Sequence, residues 1–242
     1  MVTDCSECPL RKLDTFETLK GEELAFMRRF KSGELNIGAG TPLLMEGSNS
    51  PQLYTALKGM GLRYKILPNG NRQVLNFVFP GDFIGLQAGV MGEMQHSVEA
   101  VTPMVLCVFD RSDLWSLFKN QPHRSYDLTW LAAMEEHFLS EILASVGQLS
   151  AMERISWGLL RFYKRAQESG LAREGQCPMP FKQQDLADAL GLSLVHTNKT
   201  LMRLKERQIV SWRGGVLHIL DREELESIAL EQKERPSVRA LI

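Results

Sequence analysis

The chain has 242 residues, with 28 Lys and Arg against 29 Asp and Glu, so its formal charge is −1. That balance excludes a polybasic protein that coats nucleic acid or membrane indiscriminately, and it leaves room for a local basic face. Hydrophobic residues at 44% and charged residues at 24% fit a soluble globular protein of one large or two small domains, and four scattered Cys exclude a disulfide scaffold.

The opening MVTDCSECPLRKLDTF has no apolar run after a positive start, so it reads as neither signal peptide nor anchor. Uncharged stretches such as Val74–Pro80 fall far short of the roughly 18 apolar residues of a membrane span. The expected location is the cytoplasm, where the Cys are free thiols or metal ligands. An arm over 1–20 carries Cys5 and Cys8. Phe16, Leu19, Leu24, Met27 and Phe30, set among charges, predict a short helical pair over 15–31.

From about 34 to 112 the pattern becomes that of short strands: Pro42–Met45, Leu53–Leu57, Leu62–Ile66, Val74–Val78 and Met104–Phe109. Turn signals such as Gly38-Ala39-Gly40, Glu46-Gly47-Ser48-Asn49 and Pro80-Gly81-Asp82 separate them, which predicts an all-β barrel or jelly-roll-like domain. Asn69-Gly70 is the strongest hairpin signal, because both residues tolerate positive φ. Residues 121 to about 149 then read as one long helix. Leu128, Leu131, Phe138, Ile142 and Leu149 recur at coiled-coil spacing, interrupted by Glu135 and Ser145. That stripe is either a dimer seam or an amphipathic face packed on its own domain. A length of about 40 Å favours the dimer.

Further on, Ile155, Leu159, Leu160 and Phe162 mark another amphipathic helix. The segment QQDLADALGLSLVHTNKTLMRLK, 183–205, then carries a helix-turn-helix pattern. Leu186, Ala187 and Leu190 make one buried stripe, Gly191 the turn, and Ser193 the cap of a second helix. On that helix Leu194, Thr197, Leu201 and Leu204 form a predicted buried face, leaving Val195, His196, Asn198, Lys199, Met202 and Arg203 exposed. Such a set suits a major groove: Asn pairs with adenine, Lys donates to guanine and Val meets a thymine methyl. Lys199, Arg203, Lys205 and Arg207 against Glu206 give the segment a net charge of +3. Two apolar strands around Gly214-Gly215 predict a wing whose Arg213 reaches a phosphate.

This order of parts resembles the Crp–Fnr family of bacterial transcription regulators over nearly the whole chain. The sharpest marks are FPGDFIG at 79–85, ERISWGLLRF at 153–162 and DLADALGLS…TLMRLKERQIV at 185–210. The resemblance implies an α+β fold: an antiparallel, jelly-roll-like β-roll at the amino end, a long dimerisation helix and a winged helix-turn-helix at the carboxyl end. The corresponding boundaries are 1–20 for the arm, 21–119 for the β-roll, 120–149 for the dimerisation helix, 150–232 for the DNA-binding domain and 233–242 for a tail. Leu128, Leu131, Phe138 and Ile142 are the expected dimer contacts. The implied partners are double-stranded DNA with an inverted repeat, a second copy of the chain and RNA polymerase, with no membrane.

Several positions depart from the family. Cyclic-AMP-binding members use a Glu after the FIG turn and an Arg-Ser pair; here these positions read Leu86 and Gln95-His96-Ser97. A buried cyclic phosphate would lack its bidentate partner, so cyclic-nucleotide sensing is not expected. Oxygen-sensing members hold an iron–sulfur cluster on four Cys. Here Cys5 and Cys8 form a C-x₂-C pair, the third position falls near Asp14, and the β-roll position falls at Leu106, one residue from Cys107. The readings are an irregular metal or iron–sulfur site on Cys5, Cys8, Asp14 and Cys107, controlling DNA binding, or a redox-reactive thiol pair on the arm. Cys177 sits in a linker with no role. On the recognition helix the family's Glu and Arg positions are Val195 and Lys199, so the family's usual half-site is not expected. Gln184 matches a position that meets the DNA backbone. An enzyme is the remaining rival, but the five His, at 96, 123, 137, 196 and 218, are dispersed, and no phosphate-binding G-x-x-x-x-G-K loop is present.

Overall fold

The computed structural model describes residues 2–231 and 238–242 and divides into two units. The first takes the described residues of 1–65, 77–136 and 237–242, and the second those of 66–76 and 137–236. Residues 233–237 of the expected tail lie outside the described residues.

The first unit begins with single 3₁₀ turns at Cys5–Glu7 and Leu10–Lys12, followed by helix α1 (Gly21–Phe30). The helical pair expected over 15–31 is thus a single helix. Residues 15–17 instead pair with a distant segment: Arg239 N–H donates to Thr15 O at 2.7 Å, and Glu17 N–H donates to Arg239 O at 3.0 Å. Backbone groups satisfied in this way are not available for a helical ladder.

Strands β1 (Lys31–Ile37), β2 (Pro42–Leu44), β3 (Gln52–Lys58), β4 (Gly61–Ile66), β5 (Arg72–Val78) and β6 (Phe83–Ile84) follow. After helix α2 (Leu86–Met91) come β7 (Ser97–Ala100) and β8 (Met104–Asp110). They form two four-stranded sheets, ordered β1-β8-β3-β6 and β2-β7-β4-β5. Alternation along β8 explains the layering. Met104, Leu106 and Val108 enter one apolar cluster with Leu44, Val98 and Ala100, whereas Cys107 and Phe109 point to the opposite side. β1 and β7 were not expected from the sequence: β1 is mostly polar, and both are held by register against neighbours. The hairpin at Asn69-Gly70 is present, but only Gly70 has positive φ, at +83°. Leu67 N–H donates to Asn71 O, and Asn69 Oδ1 accepts from Asn71 N–H at 3.0 Å, so the tip is longer than a two-residue turn. At Gly81, φ is +95° and a Cβ would lie 2.3 Å from the Phe16 ring, which accounts for glycine in FPGDFIG.

Helix α3 (Leu114–Asn120) leads into α4 (Pro122–Gln148), the predicted long helix. Leu128 and Leu131 are buried in the first unit's own core with Met27, Phe30, Phe109 and Leu117.

The second unit contains the end of α4, α5 (Ala151–Glu168), β9 (Gln176–Pro178), α6 (Gln183–Leu190) and α7 (Leu194–Glu206). It closes with β10 (Val210–Arg213), β11 (Val216–Ile219) and α8 (Arg222–Ile228). Ser150 and Glu153 form a capping box that starts α5. Phe138 stacks on Trp157 with ring centroids 6.4 Å apart. The expected linker around Cys177 is a strand, paired with β11 through Leu217, and its thiol is buried in this unit's core. No helix among the described residues is long and apolar enough to cross a membrane.

Candidate nucleic-acid interface

The turn between α6 and α7 is built as its residue types dictate. Gly191 ends α6 at φ +64°, a left-handed conformation that glycine adopts without strain. Ser193 Oγ accepts the His196 N–H at 3.2 Å and starts α7. Leu186, Ala187 and Leu190 are buried on α6, and Thr197, Thr200, Leu201 and Leu204 on α7. Two positions differ from expectation. Leu194 is exposed because it is the first helical residue and precedes the turn that packs on α6. Asn198 is half-buried, and its Oδ1 has no hydrogen-bond partner among the described residues.

What α7 turns outward is Val195, His196, Lys199, Met202 and Arg203, all exposed. Arg207 pairs with Glu224, so part of the local positive charge is compensated within the unit. The wing forms as predicted: Gly214 and Gly215 both have positive φ between β10 and β11, and Arg213 is exposed beside them. Gln184 is exposed on α6 and donates to Asp188 Oδ1 at 2.5 Å.

Sequence reasoning missed two cations in this unit. Arg154 donates from Nη1 to Leu190 O at 3.0 Å, and from Nη2 to Val146 O at 2.7 Å and Leu149 O at 2.9 Å. It thereby binds the carbonyl ends of α4 and α6 together. Arg72, on the hairpin segment of the same unit, pairs with Asp185 at 2.5 Å and Asp188 at 2.7 Å on α6. Its partners lie more than a hundred positions away, so no local pattern reveals them.

Residues 34–121 match the cyclic nucleotide-binding domain family, and residues 153–228 match the Crp-like helix-turn-helix domain family. The nitrogen fixation regulation protein FixK of Rhizobium meliloti is 30% identical over 192 residues, covering 78% of this chain and 83% of that protein. The chain belongs to the Crp/Fnr family. It is a transcription regulator with a DNA-binding helix-turn-helix. FixK of Bradyrhizobium diazoefficiens is 28% identical to this Crp/Fnr protein, covering 93% of each chain. The solved structure of FixK2 from Bradyrhizobium japonicum shares the fold with a TM-score of 0.75 at 24% identity, covering 83% of this chain and 98% of that one.

In this Crp/Fnr chain, Leu86 begins α2 and packs on the first unit's core, and Gln95 is exposed. His96 is buried; desolvation, with Arg63 and Lys65 nearby, holds its imidazole down to about 4. No arginine occupies the 95–97 stretch where the family's cyclic-AMP binders place one.

Three of the four positions of the expected irregular set come together, and Asp14 does not join them. Because β8 alternates, Cys107 faces the arm, and Cys5, Cys8 and Cys107 line one cavity of about 30 Å³. Lys31 and Arg11 line it as well. Burial pushes the Cys107 thiol up to about 11 and raises that of Cys5, against the opposing pull of Lys31. Asp14 is exposed and is not part of the lining. An iron–sulfur cluster takes four ligands. The cavity supplies three thiols, and among the described residues no three His, Cys, Asp or Glu side chains are grouped to hold a metal ion. This donor set does not fit the cluster.

Proposed function

We propose that the protein acts in the cytoplasm as a homodimer that reads an inverted-repeat operator and meets RNA polymerase there. In this reading α7 lies in the major groove. Val195, Lys199 and Arg203 face base edges, with His196 and Asn198 beside them, and Gln184 and Arg213 hold the backbone. The observation that carries the reading is the capped α7, whose buried Thr197, Leu201 and Leu204 turn the opposite, basic face outward. Two copies would place their recognition helices roughly 34 Å apart, one helical turn of DNA. For the second copy, α4 offers exposed Met134, Leu139 and Leu143 next to half-buried Phe138 and Ile142. Leu128 and Leu131, named with them from the sequence, contribute by stiffening the helix against its own core. The role is regulatory and not catalytic, and cyclic AMP is not the effector, since Leu86 and Gln95-His96-Ser97 lack the acceptor and the cation it needs. Selection of bound sequences from a random DNA pool tests the proposal. An enriched inverted repeat is expected, and recovery of sequences without symmetry overturns it.

A second reading is favoured by the shared cavity of Cys5, Cys8 and Cys107: a thiol site whose chemical state controls DNA binding. Operator affinity measured before and after thiol modification, on protein purified without air and assayed for iron and sulfide, checks it. An affinity independent of the thiols overturns it.

A further inference from the structure

The segment 238–242 is built into the first unit rather than lying on its surface. Its backbone joins the arm through the two hydrogen bonds between Arg239 and residues 15 and 17. The Arg239 guanidinium donates to Asp82 Oδ1 at 3.2 Å, with the carboxylate almost wholly buried, and lies 6.0 Å from the centre of the Phe16 ring. Thr55 Oγ1 donates to Ile242 O at 2.6 Å. Ala240, Leu241 and Ile242 are all at least nineteen-twentieths buried, with 3%, 2% and 5% exposure.

Those last two residues have a particular neighbour. Leu241 and Ile242 form part of the wall of the cavity that holds the three thiols. Cys8 and Cys107 also pack on the apolar cluster of Leu10, Phe16, Leu57 and Leu241. Removing the segment would take away one wall of the cavity and leave the sulfurs open on that side.

We propose that 238–242 is a strap over a thiol-modification site formed by Cys5, Cys8 and Cys107, and that it controls the access of small electrophiles to these sulfurs. The ligand class follows from the lining: soft sulfur nucleophiles beside two cations, in a cavity of about 30 Å³, are reached by a small electrophile when a wall of the cavity opens. The polar ties of the strap include the Arg239–Asp82 salt bridge, the Thr55–Ile242 hydrogen bond and the two backbone bonds of Arg239, and Ala240, Leu241 and Ile242 add apolar burial. The five residues belong to neither four-stranded sheet, so they can leave by local opening while the sheets stay intact. The inference deepens the thiol reading above by naming what regulates that site.

N-ethylmaleimide provides the probe. Its alkene carbon bonds to sulfur while the thiol proton passes to the neighbouring carbon, so no other reactant is required. Labelling rates at each Cys are read by mass spectrometry in the full chain, in a chain ending at 237, and in Arg239→Ala and Arg239→Lys. Buried Cys177 in the second unit serves as the internal reference. In the shortened chain and in Arg239→Ala, Cys8 and Cys107 are expected to label about tenfold faster, as loss of a charged hydrogen bond predicts. Arg239→Lys is expected to retain most of the protection, and Cys177 to stay unchanged. Equal rates at Cys8 and Cys107 in the full and shortened chains overturn the strap. So does parallel acceleration at Cys177, which reports general unfolding. Faster labelling with unaltered operator affinity after modification upholds the strap and overturns only the regulatory reading of the thiols.

Discussion

Arg154 on α5 donates to the carbonyl of Leu190, the last residue of α6, at 3.0 Å. The same guanidinium takes the carbonyls of Val146 and Leu149 at the end of α4, so one planar fork satisfies three acceptors that helix geometry leaves open. Arg154→Ala is expected to destabilise the second unit by roughly 2–3 kcal/mol, the range for hydrogen bonds from a charged donor. Urea unfolding followed by Trp fluorescence measures it. Arg154→Lys recovers less than half, because an ammonium cannot reach three carbonyls at once. A loss below about 0.5 kcal/mol would show that water replaces the fork freely.

Lys199 and Arg213 are exposed on different elements, and their substitutions are expected to separate base reading from phosphate binding. Lys199→Ala should lower discrimination at one base position by about 1–3 kcal/mol. Arg213→Ala should weaken every sequence alike and reduce the salt slope by about one. Titrations against the selected operator and its single-base variants, at several salt concentrations, distinguish the two. A uniform loss for Lys199→Ala removes its base-reading role.

Leu143 is the cleanest probe of the dimer. It is 73% exposed on α4, so Leu143→Glu costs the isolated chain little, yet it places a charge in the proposed contact. Sedimentation is expected to show monomers with poor operator affinity. Charged substitutions at Phe138 or Ile142 are also expected to give monomers, but Phe138 additionally stacks on Trp157 within its own chain, so its loss mixes two effects. An intact dimer in Leu143→Glu would refute the α4 contact.

His96 and Asp127 make opposite contributions to stability between pH 4 and 6.5. The folded-state value of His96 is near 4, below its ordinary 6.5. The unfolded chain therefore takes the proton first, and stability fully present above pH 6.5 is lost as the pH falls toward 4, by about 3 kcal/mol at most. Burial raises Asp127 to about 6 from 3.8, so its destabilising effect is present above pH 6 and disappears as the pH falls. The stability lost when the pH falls from 6.5 to 4 is expected to be smaller for His96→Gln and larger for Asp127→Asn than in the unmodified chain. A His96→Gln profile parallel to that of the unmodified chain would refute the buried neutral imidazole.

Where one residue's chemistry set the local structure, the sequence could be read directly. Gly191 and Ser193 mark the turn and cap of the helix-turn-helix, Gly214-Gly215 the wing, and the periodicity over 121–149 the long helix. Where a position depended on a distant partner, it could not. The polar strand β1 exists because β8 pairs with it, and Cys177 is a core residue because β11 runs beside its strand. The 15–20 stretch loses its expected helix to a bridge with Arg239, more than two hundred positions away.

The sequence by itself determined the architecture, the family and the outward face of the recognition helix, since caps, turns and apolar periods act over three or four residues. Its neutral total charge concealed a local basic face that the spacing of Lys199, Arg203 and Lys205 already made visible. Tertiary structure alone decided that Cys5, Cys8 and Cys107 share one cavity and that 238–242 walls it. The pleat of β8 turns Cys107 toward the arm, and the long-range bonds of Arg239 bring the two distant segments together. Contacts across such separations depend on which apolar surfaces close on one another, and no short-range pattern in the chain encodes that.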